Sequence, residues 1–514
     1  MAVSDRSQVV FVAAGLVVFA AGIAFRSWGV LFGTFDFWAD EAWWATLTTH
    51  IALTESGIRP IGYMWLSQHL AAFNNPELTL RLPSYLAGIG TMVCVYLAAR
   101  RLLTLRVLAL LALCLVAMNP KLVAFAKEFK PYSLETFVHS GLLLWALICY
   151  QRRRIGVAFP AVALAVLPFS YNIVFLYPGL ALAMLALSRI WHRVTPLQWA
   201  GIASAGLLLL LLVHGFASEA LGTSERAQFW GDKYGVFPPA DAGVLSVAGW
   251  YLRKTWNLVT MAGGTTAVAQ VAFGFAFLVG VGALVAARRF VELALLVGPL
   301  VFVLLANGLG YWPYGPFRTN IFLFPYFILV ACYGLDRLVT HLRAVAIAAA
   351  VILFVSMLPL EPQALTMKHA RDWAPAPQLT EVLDEMQGRL AADPTPAANV
   401  IVAEWHAWRP LEYYLERSPH GRDTYARLRN EATLLQERPL DGVERLAALV
   451  AEARCSGAPG ATRVWVIVVK LDRFIEIVEH PQITAFGVHQ RRFAEHDPLY
   501  HPVLIELRVP GDRC

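Results

Sequence analysis

The chain has 514 residues, 58% of them hydrophobic and only 15% charged, with a formal charge of +6 and a mean hydropathy of +0.54. A soluble domain carries about 25% charged residues, so a secreted enzyme, a coiled coil, a disordered chain and a nucleic-acid module are excluded together. The charge is uneven: residues 1–360 hold 38 of the 78 Asp, Glu, Lys and Arg side chains and residues 361–514 hold the other 40, densities of about 11% and about 26% against that soluble norm. The expectation is a polytopic α-helical membrane domain over 1–360 followed by a soluble α/β domain over 361–514.

In chain order, stretches apolar enough to span a bilayer fall near 8–27, 78–99, 105–120, 133–150, 155–170, 173–188, 199–216, 265–287, 290–307, 319–335 and 343–359, about eleven in all at about 20 residues per span. The first lacks a small-residue cleavage site and reads as an anchor rather than a removable signal. Alternate loops are short and basic: Arg100, Arg101 and Arg106, then Arg152 to Arg154, Arg189 and Arg193, Arg288 and Arg289, and Arg337 and Arg343. By the positive-inside rule these face the cytoplasm, which places the N-terminus inside the plasma (inner) membrane and the C-terminal domain outside it. The other loops, 28–77, 121–132, 217–264 and 308–318, are longer and chemically mixed, as working loops are. Within the first of them, 40–54 and 61–73 have apolar residues at helical spacing with abundant aromatics, predicting two interfacial helices.

The C-terminal region predicts strands at 399–403, 463–470 and 502–508 and helices at 378–391, 408–416 and 438–453. Cys94, Cys114, Cys149 and Cys332 lie in apolar spans, where cysteine behaves as a small hydrophobe. Cys455 and Cys514 lie in the exported region, where a disulfide between them is possible.

The informative polar residues lie at the outer ends of the spans. Asp40 and Glu41 sit among Phe37, Trp38, Trp43 and Trp44. A carboxylate desolvated in that setting becomes more basic, as a base that deprotonates a sugar hydroxyl must be. The same pair also suits the first turn of a helix, where capping alone explains it. Basic residues reach the outer surface at Arg59-Pro60, at Lys127-Glu128-Phe129-Lys130-Pro131-Tyr132, at Arg253-Lys254 and at Arg318. For Lys254 and Lys121 snorkelling to lipid headgroups is sufficient. For Arg59, Lys130 and Arg318 a shared phosphate-ester pocket is expected, because such clamps stabilise a leaving phosphate. His50, His69 and His139 lack ligand-like spacing and read as structural rather than metal-binding. The sequence has no Gly-rich phosphate loop, no Cys-x-x-Cys and no Gly-x-Ser-x-Gly.

Together these residues resemble the GT-C superfamily of membrane glycosyltransferases, and within it the branch of the protein O-mannosyltransferases and lipid A aminoarabinose transferases. The acidic pair after the first span is Asp40-Glu41. The basic-Pro element before an aromatic helix is Arg59-Pro60 with Tyr63 and Trp65. Glu128-Phe129-Lys130-Pro131-Tyr132 stands for a Glu-Ala-Arg-Pro-Tyr type motif, and Arg318, Pro325 and Gly334-Leu335 for the late Arg loop and its helix. Two departures stand out. Lys130 replaces an Arg, a point charge in place of a bidentate fork. Ile58 stands where the aminoarabinose transferases have an acidic metal ligand, so no metal site is assigned and divalent-metal dependence is left open.

The resemblance implies a transferase that takes a sugar from a polyprenyl-phosphate donor to a glycan, lipid or protein acceptor, with inversion and without a required cofactor or nucleic-acid partner. It implies Asp40 as base and Glu41 as acceptor-placing residue. Arg59, Lys127, Lys130 and Arg318 would surround the donor phosphate, and Trp43, Tyr63, Glu128 and Tyr132 would line the pocket. Two other classes fit the composition: a lipid-linked sugar transporter or flippase, and a non-catalytic scaffold for envelope glycans. Transporters place ionisable residues near the midplane of repeated halves, whereas here they gather at span ends.

Overall fold

The computed structural model describes residues 5–32, 36–50, 60–73, 75–152, 162, 165–180, 206, 231, 234, 235–239, 241–358, 379–392, 398–403, 405–418, 423–434, 462–470, 488–492 and 500–509. The chain divides into two compact units. The first is 1–28, 52–66 and 81–365; the second is 29–51, 67–80 and 366–514.

In the first unit the long helices are α1 (Asp5–Ser27), α5 (Leu82–Leu102), α6 (Arg106–Met118), α7 (Pro120–Ala126), α8 (Tyr132–Gln151), α9 (Val244–Met261), α10 (Ala267–Ala286), α11 (Phe290–Gly308), α12 (Phe324–His341) and α13 (Arg343–Met357). Between α1 and α5 the chain carries α2 (Ala39–His50), α3 (Ile61–Leu70) and the single turn α4 (Pro76–Thr79). Among the described residues six helices are long and apolar enough to cross a bilayer, or seven if α6 and α7 count as one bent span. Their length matches a hydrocarbon core of about 30 Å, and the protein is a multi-pass membrane protein.

The helix expected at 105–120 bends by 54° where α6 meets α7. Pro120 has no N–H to continue the ladder, and Asn119 restarts it, its Oδ1 accepting from Lys121 N (3.1 Å) and Leu122 N (3.2 Å). About half of each span expected near 155–170 and 173–188 lies outside the described residues, and the one near 199–216 almost wholly so. Where 165–175 is described, it forms the 3-10 turns Leu167–Phe169 and Tyr171–Phe175 on either side of an extended Ser170. Pro168 in the first turn cannot donate to a helical ladder. α13 has 15 residues, shorter than a full span.

α12 forms the centre of this unit, 94% of its apolar window being buried. Gly334 lets it touch α10 backbone to backbone: a Cβ there would collide with the Ala276 carbonyl oxygen, the close approach that small residues permit in membrane helices. Asp336, on the same helix, accepts from Thr104 N and Leu105 N (both 3.0 Å), pinning the turn that leads into α6.

The second unit holds a five-stranded sheet in the order β2-β1-β3-β5-β4, from β1 (Ala398–Ala403), β2 (Ala432–Leu434), β3 (Thr462–Lys470), β4 (Val488–Arg492) and β5 (Tyr500–Val509). β2, β1 and β3 run parallel, and β5 and β4 add antiparallel. Helices α14 (Leu379–Ala392), α15 (Trp405–Glu412) and α16 (Ala426–Glu431) complete it, with a π-helical turn over Tyr413–Arg417. α14 buries Leu379, Val382, Leu383, Met386 and Leu390, one stripe at helical spacing. This confirms the α/β reading of the C-terminal region. The predicted helix 438–453 and both Cys455 and Cys514 lie outside the described residues.

The segment leading into α2 is fastened to this sheet domain. Asp36 accepts from Thr380 N (2.8 Å) at the start of α14. Phe37 N donates to Tyr414 Oη (2.8 Å), and the Phe37 ring packs edge-on against Tyr413 at 5.3 Å.

Candidate active site

The expected site residues fall into two sets, each within its own unit. Asp40 and Glu41 form the first turn of α2 and are buried. Trp43, one turn on, is 38% exposed. The Arg409 guanidinium of α15 lies 5.9 Å from the Trp43 ring centre and 4.2 Å from that of Trp408, and donates to Glu412 at 3.0 Å. The acidic pair therefore stands on a helix whose next turn meets an aromatic and cationic cluster from the C-terminal domain.

In the first unit Lys127 closes α7, Glu128 to Pro131 form the turn, and Tyr132 opens α8. This turn is buried although it carries three charges: Lys127, Glu128 and Lys130 are each at most 2% exposed. It is braced from several sides. Ser84 Oγ on α5 donates to the Lys130 carbonyl at 2.7 Å, Tyr63 Oη lies 3.4 Å from the same Ser84 hydroxyl, and the Tyr63 ring stacks on Phe129 at 5.8 Å. Beneath it Arg26 ends α1 by donating to the carbonyls of Val116, Ala117 and Gly22. Burial, and after it the Arg26 charge, lowers the Lys127 pKa to about 8. An anion that met both cations would relieve this like-charge and desolvation cost.

Arg318 begins the 3-10 turn Arg318–Leu323, its guanidinium 5.9 Å from the Tyr132 ring centre. Hydrogen bonds from Asn320 brace the loop before it. Asn320 Nδ2 donates to Pro313 O (2.9 Å) and Gly315 O (3.2 Å), and its Oδ1 accepts from Trp312 Nε1 (3.0 Å). Gly315 takes φ +123°, a conformation L side chains avoid. Tyr63, Lys127, Glu128, Lys130, Tyr132 and Arg318 thus form one connected region of the first unit. Arg59 lies outside the described residues.

Sequence reasoning missed Arg26, Glu135 and Asn172 here, all buried. For Glu135 a signal existed: an ionisable residue inside a span, three residues after Tyr132, is itself a functional pointer. Among the described residues no three His, Cys, Asp or Glu side chains converge as a metal site.

Residues 59–215 match the family model described as dolichyl-phosphate-mannose-protein mannosyltransferase. That stretch contains Arg59, Tyr63 and the whole Lys127–Tyr132 turn, whereas Asp40 and Arg318 lie outside it. Among solved structures, the oligosaccharyltransferase of Archaeoglobus fulgidus in complex with Zn and sulfate is 13% identical, over 97% of this chain and 75% of that one, with a TM-score of 0.49. ArnT from Cupriavidus metallidurans bound to undecaprenyl phosphate is 13% identical, over 98% of both chains, with a TM-score of 0.47. No curated protein matches the chain in sequence. Over residues 59–215 the chain is similar to the dolichyl-phosphate-mannose-protein mannosyltransferase family, and that matched stretch contains the buried Lys127–Tyr132 turn.

Proposed function

We propose that the protein is a glycosyltransferase that moves a sugar from a polyprenyl-phosphate donor to an acceptor hydroxyl on the outer side of the plasma membrane. The observation that carries this reading is the Lys127–Tyr132 turn: cations buried at the ends of apolar helices, braced through their backbone, with Arg318 against the same Tyr132. A lipid-linked phosphate presents its charge at headgroup depth while its isoprenoid tail stays in lipid, so its cations belong at span ends. The matched family's description names a lipid-phosphate-linked sugar as donor, in line with that physics.

In the proposed reaction the acceptor oxygen attacks the anomeric carbon as the bond from that carbon to the phosphate oxygen breaks, inverting the centre. Asp40 takes the acceptor proton and Glu41 orients the acceptor. Lys127, Lys130 and Arg318, with Arg59, stabilise the negative charge that grows on the departing polyprenyl phosphate. The phosphate ester carries the activation, so the scheme calls for no nucleotide. The short basic loops favour a cytoplasmic N-terminus and an exported C-terminal domain.

The test is Asp40→Asn. A general base contributes on the order of 10²–10⁴-fold, so the purified variant is expected to bind undecaprenyl phosphate as the parent does while losing turnover by about a thousandfold. Mass spectrometry of lipids from cells carrying only this variant should show a polyprenyl-phosphate sugar accumulating, which identifies the donor. Undiminished transfer by Asp40→Asn overturns the assignment of the base.

A further inference from the structure

Below the cationic turn, the first two turns of α8 carry a buried polar network that the proposed reaction leaves unused. Glu135 and His139 lie three and seven residues after Tyr132, on one face of the helix. The turn Arg318–Leu323 lines that face at both ends. Arg318 meets Tyr132, and Phe322 lies 4.4 Å from the His139 ring, centre to centre. Glu135 sits between them, about 4.5 Å further along the helix axis than Tyr132 at 1.5 Å per residue.

The hydrogen bonds of this network run in one direction. Asn172 Nδ2 donates to Glu135 Oε2 at 3.0 Å. Asn172 Oδ1 accepts from Ser170 Oγ at 2.6 Å and lies 3.1 Å from His139 Nε2. The amide orientation makes Nε2 the protonated nitrogen, which leaves Nδ1 to accept from Tyr326 Oη at 3.0 Å. Tyr326 therefore donates to His139, His139 to Asn172, and Asn172 to Glu135, a chain whose members reinforce one another and end on a carboxylate. The second oxygen, Oε1, has no hydrogen-bond partner among the described residues and is not sealed from solvent. A network that served only to brace α8 against its neighbours would consume both oxygens, because an acceptor left unused in a membrane interior is costly.

We propose that Glu135, held in place by Asn172, His139 and Tyr326, recognises a hydroxyl of the donor's sugar through Oε1, on the membrane side of the cations that hold the phosphate. This rests on the donor reading above and adds to it a specificity-determining residue. A carboxyl group suits the task because its ionised form only accepts, and every sugar hydroxyl can donate. A site built to bond a hydroxyl also rejects a sugar that lacks it, since the buried acceptor is then left unsatisfied.

The direction of the network supplies the test. In Glu135→Gln, Asn172 Nδ2 still requires an oxygen, so the new NH2 group takes the place of Oε1. The unused acceptor becomes a donor with almost no change of shape. The full chain in lipid nanodiscs is titrated with undecaprenyl phosphate and with undecaprenyl-phosphate-linked glucose, mannose and arabinose. In the parent protein at least one sugar lipid is expected to bind tenfold or more tightly than undecaprenyl phosphate. Glu135→Gln should bring that sugar lipid to within twofold of the bare lipid, leaving bare-lipid affinity and Tm unchanged. Glu135→Asp, which keeps the charge and shortens the reach, should lose the same increment and guards against misfolding of the Gln variant.

Retention of the increment in both variants overturns the proposal and makes the network a brace. An equal loss for bare and sugar-linked lipid also overturns it, as does a parent protein that binds no sugar lipid better than the bare one. Failure of the parent to bind undecaprenyl phosphate at all defeats the donor reading itself, an outcome separate from these.

Discussion

The central ion cluster of the sheet domain and the Lys127–Tyr132 turn of the membrane unit bury their ions differently. In the sheet domain the charges alternate. Glu506 on β5 receives Arg389 from α14 at 2.7 Å and Arg463 from β3 at 3.3 Å, and Arg389 also bonds Glu385 at 2.9 Å. Arg463 and Glu506 are almost wholly buried. In the membrane unit burial, and after it the nearby Arg26 charge, depresses the Lys127 pKa, and Arg26 is bonded to main-chain carbonyls. An alternating cluster closes on itself and belongs to the fold. Like charges held close in a buried setting disfavour each other, and an anion meeting both would relieve that cost, which is what the proposed phosphate site requires.

The largest effect that would break this contrast lies in the sheet domain. Glu506→Ala leaves two buried or half-buried arginines without their shared carboxylate, a loss of about 3–5 kcal/mol. Thermal unfolding of the full chain should show a destabilised C-terminal domain. An unchanged transition would mean that the cluster is not structural. Lys130→Ala is expected to act the other way round. It should leave unfolding nearly untouched and reduce transfer by on the order of 10²-fold, the scale of one lost electrostatic contact to a developing anion. Both donor affinity and turnover should fall, as measured with undecaprenyl-phosphate sugars. Lys130→Arg should restore activity, since it supplies the fork that the resembled family carries. Near-normal kinetics for Lys130→Ala would remove it from the phosphate site.

The contrast was half visible in the sequence. Uninterrupted apolar runs such as 267–286 and 290–308 announce helices because the bilayer tolerates little else. β1, β3 and β5 were legible as β-branched runs, whereas β4, Val-His-Gln-Arg-Arg, was not. It is an edge strand with polar side chains, and only its pairing with β5 defines it. The Lys127–Tyr132 turn could be found because charge at the end of a span is rare and local. Its surroundings could not. Arg26 is about 90 residues from the carbonyls it binds, and Asn172 is 37 from Glu135. Such juxtapositions are made by packing and leave no periodic trace along the chain. The fastening of Asp36 and Phe37 to α14 and Tyr414 spans still greater separations.

A smaller effect separates charge from shape at Lys127. With its pKa lowered from 10.5 to about 8, Lys127 loses its proton well before an ordinary lysine does. Undecaprenyl phosphate is fully ionised above pH 8, so its affinity should weaken as pH rises through 8, by up to about tenfold at pH 9. Stability moves in the opposite direction. A base whose folded pKa is depressed costs stability below pH 8, and that cost fades as pH climbs toward 10.5. Lys127→Arg stays charged throughout and should abolish the affinity step. An affinity that stays flat in the parent protein from pH 7 to 9.5 would show that Lys127 does not meet the phosphate.

The smallest effect calibrates the rest. Arg427 and Glu431 form an i,i+4 pair on α16 at 2.9 Å, with side chains 40% and 42% exposed. It has the same chemistry as Arg389–Glu506 in the same unit, but water screens it, and such pairs contribute about 0.3–0.5 kcal/mol. Arg427→Ala should therefore shift unfolding barely, and that shift should shrink further in 1 M salt, where the screening length is about 3 Å. The cost of Glu506→Ala should persist at that salt, because a buried pair is screened much less. If both variants proved equally salt-sensitive, burial would not be what distinguishes the sheet domain's ions, and its contrast with the cationic turn of the membrane unit would lose its physical basis.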